Sequence, residues 1–179
     1  MFELFLLLPY TGALGAVSTI TLILIPGFVG AKCKYPMSYI GLDSKVGRAF
    51  ALGLFVSGIL QFGYVVGLAN YYTETMARLS LFVYAMGSVC CMFLAFLPHG
   101  KYPHIHNMLT RIFFVCALGG AAAFHLIGIG ITQDRLGMAI AFSNLAICAY
   151  MYAIRKSIFW TEVWGIMLLV AWNLHFFVR

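Results

Sequence analysis

The chain has 179 residues, of which 63% are apolar, 16% aromatic and only 9% charged, with a mean hydropathy of +0.97. A soluble globular domain is about half apolar and about a quarter charged, so that class is excluded, and intrinsic disorder with it. The formal charge of +6 is dealt out among the connections between apolar stretches, with no basic run longer than Arg155-Lys156, which excludes a nucleic-acid-binding surface. At about 20 apolar residues per crossing, the chain has room for at most six or seven membrane helices and no extramembrane domain. Function is therefore expected inside the bundle or in its loops.

Six apolar segments are predicted in chain order: Glu3 to Gly30, Arg48 to Asn70, Arg78 to Leu97, Met108 to Ile131, Leu136 to Ile154 and Ser157 to Val178. They read as helices, because a lone strand would leave its amides unbonded in lipid and none shows the alternation of a barrel strand. The fold class is an all-α integral membrane bundle of six transmembrane helices, one domain over residues 1–179. Met1-Phe2-Glu3 lacks the positive flank of a signal peptide, so the first segment is expected to stay as a permanent helix, kinked or ended by Pro9 and Pro26. Gly12, Gly15, Gly119, Gly120 and the run Ala121 to Ala123 suit close helix approach. The five cysteines, Cys33, Cys90, Cys91, Cys116 and Cys148, are odd in number and contain no C-x-x-C, which argues against a disulfide framework or a zinc site.

Of the connections, the first (Ala31 to Gly47) and third (Pro98 to Asn107) hold most of the loop chemistry. Loops one, three and five share one membrane face, together with Lys32, Lys34, Lys45, Arg48, Lys101, Arg111, Arg155 and Lys156. Arg78, Arg135 and Arg179 belong to the other face. The positive-inside rule then puts loops one, three and five in the cytoplasm, with both termini on the far side.

The polar residues near the first face are the candidate site. Arg111 and Glu162 are each about a turn inside their helices and at similar depth, natural partners. An ionisable group there marks a functional site, whereas a buried ion pair or a snorkelling arginine would answer the same cost structurally. Asn107, Arg111, Leu118, Ala122 and His125 form one stripe, and Glu162, Leu169 and Asn173 another. Facing each other, they would line a hydrated cleft or simply hydrogen-bond between helices. His106, Ser38 and Asp43 complete the candidate ligand-binding set. His99, His104 and His106 are weak metal candidates, since their spacing across a Pro and a Gly matches no common zinc signature. His125 and His175 both fall near the opposite face, but two histidines are half of what a two-haem cytochrome needs.

The run Pro36-Met37-Ser38-Tyr39-Ile40-Gly41, followed by Phe50-Ala51-Leu52-Gly53-Leu54-Phe55-Val56-Ser57-Gly58, resembles the loop and following helix of a family of small six-helix membrane proteins. That family is the domain of unknown function numbered 998, with relatives among the DRAM, Frag and Sfk-like proteins. Phe96-Leu97-Pro98, His104-Ile105-His106-Asn107 and Arg111-Ile112-Phe113-Phe114 are similar to its third loop and fourth helix, and Glu162 with Trp164 to the opening of its sixth. The resemblance implies lipid remodelling or lipid organisation, and it carries over to Ser38, Gly41, His106 and Glu162. Tyr39 stands where the family usually has Asp, which leaves Asp43 as the substitute carboxylate. The relatives place loops one and three outside the cytoplasm, opposite to the charge bias.

The resulting expectation is a membrane protein that binds, and in an enzymatic version modifies by acyl or phosphoryl transfer, a lipid head group or small amphiphile. Bound lipid is expected, while zinc and haem are disfavoured. The partners are membrane lipids, with a homo-oligomer or larger assembly also open. The rival readings are a non-catalytic subunit of a membrane complex and a small transporter or channel, the latter lacking paired broken helices.

Overall fold

The computed structural model describes residues 2–31, 36–40, 44–132 and 134–178, and side chains outside 2–9, 31, 127–132 and 176–178. Every predicted segment is helical, and no strand occurs among the described residues. Helix α1 (Phe2–Thr19), a π-helical turn (Ile20–Leu24) and α2 (Ile25–Ala31) form a first continuous rod, since Thr19 and Ile25 at its joints both have helical dihedrals. After a 3₁₀ turn at Met37–Tyr39 come α3 (Lys45–Tyr71), α4 (Thr75–Leu94), α5 (Pro103–Thr132), α6 (Arg135–Ala153) and α7 (Ile158–Val178). Each rod packs on its sequence neighbours, and α7 closes the ring against α1, which leans on α3. Contact between α5 and α7 across the ring is slight.

Five rods are long and apolar enough to cross a membrane: Tyr10–Gly30, Lys45–Tyr71, Thr75–Leu94, Pro103–Leu126 and Arg135–Ala153. The sixth, α7, is the one whose apolar run is interrupted by Glu162, Asn173 and His175. All three turn inward: Glu162 and Asn173 are buried and His175 is half-buried.

Pro26 explains the break in the first rod. A proline cannot donate to the carbonyl of residue i−4, here Leu22, and its ring crowds that carbonyl. The backbone yields by widening to π geometry over Ile20–Leu24, where the Ile25 amide reaches back five residues to the Ile20 oxygen. The Leu22 carbonyl then lies so near α3 that a Cβ on Gly53 would stand 2.6 Å from its oxygen. Pro26 thus reshapes the rod rather than ending it.

Small residues set the other close approaches. A Cβ on Gly120 would meet the Tyr84 nitrogen at 2.7 Å and the Ser80 oxygen at 2.9 Å, so α4 and α5 touch backbone to backbone. The neighbouring Gly119 faces open space. Of the predicted alanines, Ala121 and Ala122 are buried and Ala123 half-buried. One apolar cluster, built around Tyr64, Tyr84, Phe124 and Trp172, fills the half of the ring toward the termini. A second, Ile23, Leu24, Met37, Phe50, Phe159, Val163 and Ile166, fills the half under loop one.

The clearest difference from expectation lies in loop three. Helix α5 begins at Pro103, five residues before the predicted Met108, because proline at a first helical position has its φ preset and no amide to satisfy. His104, His106 and Asn107 are therefore helical residues, not loop residues.

Candidate functional site

Met37 builds the loop-one side of the site. Its side chain is buried against Gly27 and inside the second apolar cluster. Anchored there, the 3₁₀ turn lays its own amide and the next side chain over α7. The Met37 N–H donates to Glu162 Oε2 at 2.6 Å, and the Ser38 hydroxyl donates to Glu162 Oε1 at 2.8 Å. A carboxylate that is only 4% exposed thus receives one donor on each oxygen.

His106 comes to the same place from the first turn of α5. Its Nδ1 lies 2.6 Å from the carbonyl oxygen of Leu97. A carbonyl can only accept, so Nδ1 carries the proton and Nε2 is a bare lone pair. That Nε2 is buried and has no hydrogen-bond partner. Ser38, His106, Thr110 and Glu162 share the lining of a cavity of about 30 Å³, whose remaining wall is apolar. A second space of about 10 Å³, also bounded by Ser38 and His106, continues toward Pro98 and Gly47. A water needs roughly 10–15 Å³ of such space, so the pair holds a water-sized group or two and no more. His99 stacks on Tyr39 at 3.6 Å between ring centroids and is edge-on to His106 at 5.6 Å.

The other expected members divide. Arg111 and Glu162 do not pair: Arg111 is exposed, and the donors on Glu162 come from loop one. The reason is angular, because five residues at about 100° each put Arg111 roughly 140° round α5 from His106. Asn107 is half-buried but outside the cavity lining, and Asp43 lies outside the described residues. His104 is exposed, away from the other two histidines. Among the described residues no three of His, Cys, Asp and Glu gather as a metal site would require. Of the expected facing stripes, the apolar middles come together: Leu118, Ala122 and Leu169 share the first apolar cluster.

At the opposite face the structure assembles a polar group that the sequence reading left unpaired. Asp134 caps α6 by accepting from the Gly137 amide at 3.0 Å, and it also takes His175 Nε2 at 2.7 and 2.9 Å. Trp172 Nε1–H donates to His125 Nε2 at 2.7 Å, which places the imidazole proton on Nδ1, 3.9 Å from Asp134 Oδ2. A Cβ on Gly137 would strike both Asp134 and His125, so only glycine fits there. His125 and His175 do converge, as their depths implied, but around a carboxylate that engages the Nε2 of one and leaves the other to Trp172. The missed signal was the start of α6: antiparallel neighbours bring its N-cap beside the last turn of α7.

No family model, curated protein or solved structure matches the chain. What the loop-one site can do follows from its atoms. Ser38, His106 and Glu162 line one small cavity; the carboxylate already takes a donor on each oxygen, and His106 Nε2 is the acceptor left over.

Proposed function

We propose that this is a six-crossing membrane protein, with α7 as the sixth span, that binds the donor-bearing tip of a lipid head group at the loop-one face. The supporting observation is the bare, buried Nε2 of His106 beside Glu162 and Ser38. A buried acceptor without a partner costs roughly 1–3 kcal/mol, and a hydroxyl or ammonium placed there recovers it. A choline head group, whose nitrogen has no N–H, cannot do so.

The small size of the cavity supports one mode of binding. It takes one hydroxyl or one ammonium, while the rest of the head group stays at the interface among Tyr39, His99 and the exposed turn of α5. Lipid-facing surface is plentiful, with exposed apolar side chains on every rod. The motif resemblance around Ser38, His106 and Glu162 belongs to this reading, as does a cytoplasmic loop-one face from the charge bias. In an enzymatic version His106 Nε2 would be the general base toward the bound hydroxyl.

Lipid retention after detergent purification tests the assignment. His106→Ala and Glu162→Gln are expected to lose the retained lipid about tenfold, as removal of one or two hydrogen bonds to a charged or buried partner implies. Arg111→Ala, outside the cavity, is expected to keep it. Equal retention in all three variants would overturn the reading.

A further inference from the structure

A wider recess than the loop-one cavity lies elsewhere, on the outer surface between α3 and α4. It measures about 810 Å³, within the range of roughly 300–1,000 Å³ typical of small-molecule sites. Val65 and Leu81 form its floor and Phe62 and Phe82 its walls, and it runs from Arg78 near the start of α4 to Phe93 near its end. Fifteen residues at 1.5 Å each make it roughly 22 Å long, more than the depth of one leaflet, about half of a 30 Å hydrocarbon core.

The mouth of this groove is cationic and held in place. Arg78 Nε donates to the Ala69 oxygen at 3.0 Å and to the Tyr72 oxygen at 3.1 Å, the last carbonyls of α3. Those bonds fix the guanidinium at the groove while its two terminal NH₂ groups bond no described residue. No described carboxylate is within salt-bridge distance of it, although Glu74 lies one turn away on the chain. The side chain is exposed, about one turn below the start of its helix, at head-group depth.

We infer that this groove is a binding site for an anionic phospholipid of the leaflet opposite loop one, with an acyl chain along α3 and α4 and the phosphate on Arg78. Charge complementarity selects the occupant: an apolar channel as long as a fatty chain ends in one unpaired, immobilised arginine, which matches a lipid phosphate bidentately. Association of another protein helix would leave that guanidinium without an anion.

The test is native mass spectrometry of the detergent-solubilised full chain with added phosphatidylmethanol, which is anionic and has no donor for the loop-one site, against phosphatidylcholine. Wild-type protein is expected to favour phosphatidylmethanol by about fivefold, the worth of one arginine against an anionic lipid. Arg78→Lys should retain most of that preference and Arg78→Gln should abolish it. Ala69→Phe, which narrows the groove, should weaken binding of both lipids. His106→Ala should leave all of these ratios unchanged, so a failure here is separable from a failure at loop one. An equal response to both lipids in wild type, or a preference that survives Arg78→Gln, would overturn the proposal, as would a dimer mass in place of lipid adducts.

Discussion

At the scale of single residues, the two polar groups differ in how their atoms are satisfied. Asp134 accepts from a helix amide and an imidazole, and its removal would strand His175, whose side chain is only 9% exposed. Asp134→Ala is expected to destabilise the protein by on the order of 3 kcal/mol, and Asp134→Asn, which keeps an acceptor oxygen, by about 1 kcal/mol. Unfolding in one detergent at fixed pH would rank the two, and equal losses would contradict the pairing. Lys156 offers the converse case. It lies in the turn between α6 and α7 with φ at 50°, a left-handed conformation that costs a side-chain-bearing residue roughly 1–2 kcal/mol. Lys156→Gly should therefore raise stability by up to about 1 kcal/mol in the same assay, and a loss would show that the side chain contributes something else. Proximity was partly legible from sequence at this scale, since Glu162, His106 and Ser38, expected on one face, do line one cavity. Partnership was not: whether Glu162 meets Arg111 or a loop amide depends on helix rotation and on where Met37 anchors.

Between elements, contact is set by glycine placement, and adjacent positions can have opposite effects. Gly120→Ala would drive a methyl into the backbone of α4 and is expected to cost about 1–3 kcal/mol through forced separation of α4 and α5. Gly119→Ala points into open space and is expected to be neutral or to add up to about 1 kcal/mol of helix propensity. A thermal unfolding comparison of the two variants that gave the same sign would contradict the α4–α5 geometry. The sequence showed a small-residue stretch here without showing which member faced the neighbour. That orientation is a property of two helices together, whereas hydropathy reports one at a time. Helix limits were also readable to within a few residues, except where Pro103 started α5 early and carried His104 and His106 onto the helix. Pro26 illustrates the same point, because a proline marks a discontinuity in the chain and only the neighbouring α3, with glycine at position 53, turns it into a close contact.

Over the whole molecule, the ring of rods places one polar group near each end of the bundle, with apolar packing between. Composition was enough for the all-helical class and for several crossings, because few solvents other than lipid suit a chain with so little charge. It could not indicate how the two ends differ in function. The far end pairs Asp134 with His175 and His125 with Trp172, in keeping with a structural clasp. The loop-one end leaves His106 Nε2 without a partner, and His106 lines a space the size of a single small group. That difference underlies the proposal of a head-group site at the loop-one face, in which His106 and Glu162 would select among head groups. Competition between phosphatidylethanolamine and phosphatidylcholine, two lipids of equal net charge, for the purified protein measures that selection directly. At least a tenfold preference is expected for the ethanolamine lipid, which has N–H donors to offer, and its loss in His106→Ala. Equal binding of the two by wild-type protein, or a preference untouched by that substitution, would contradict the proposal.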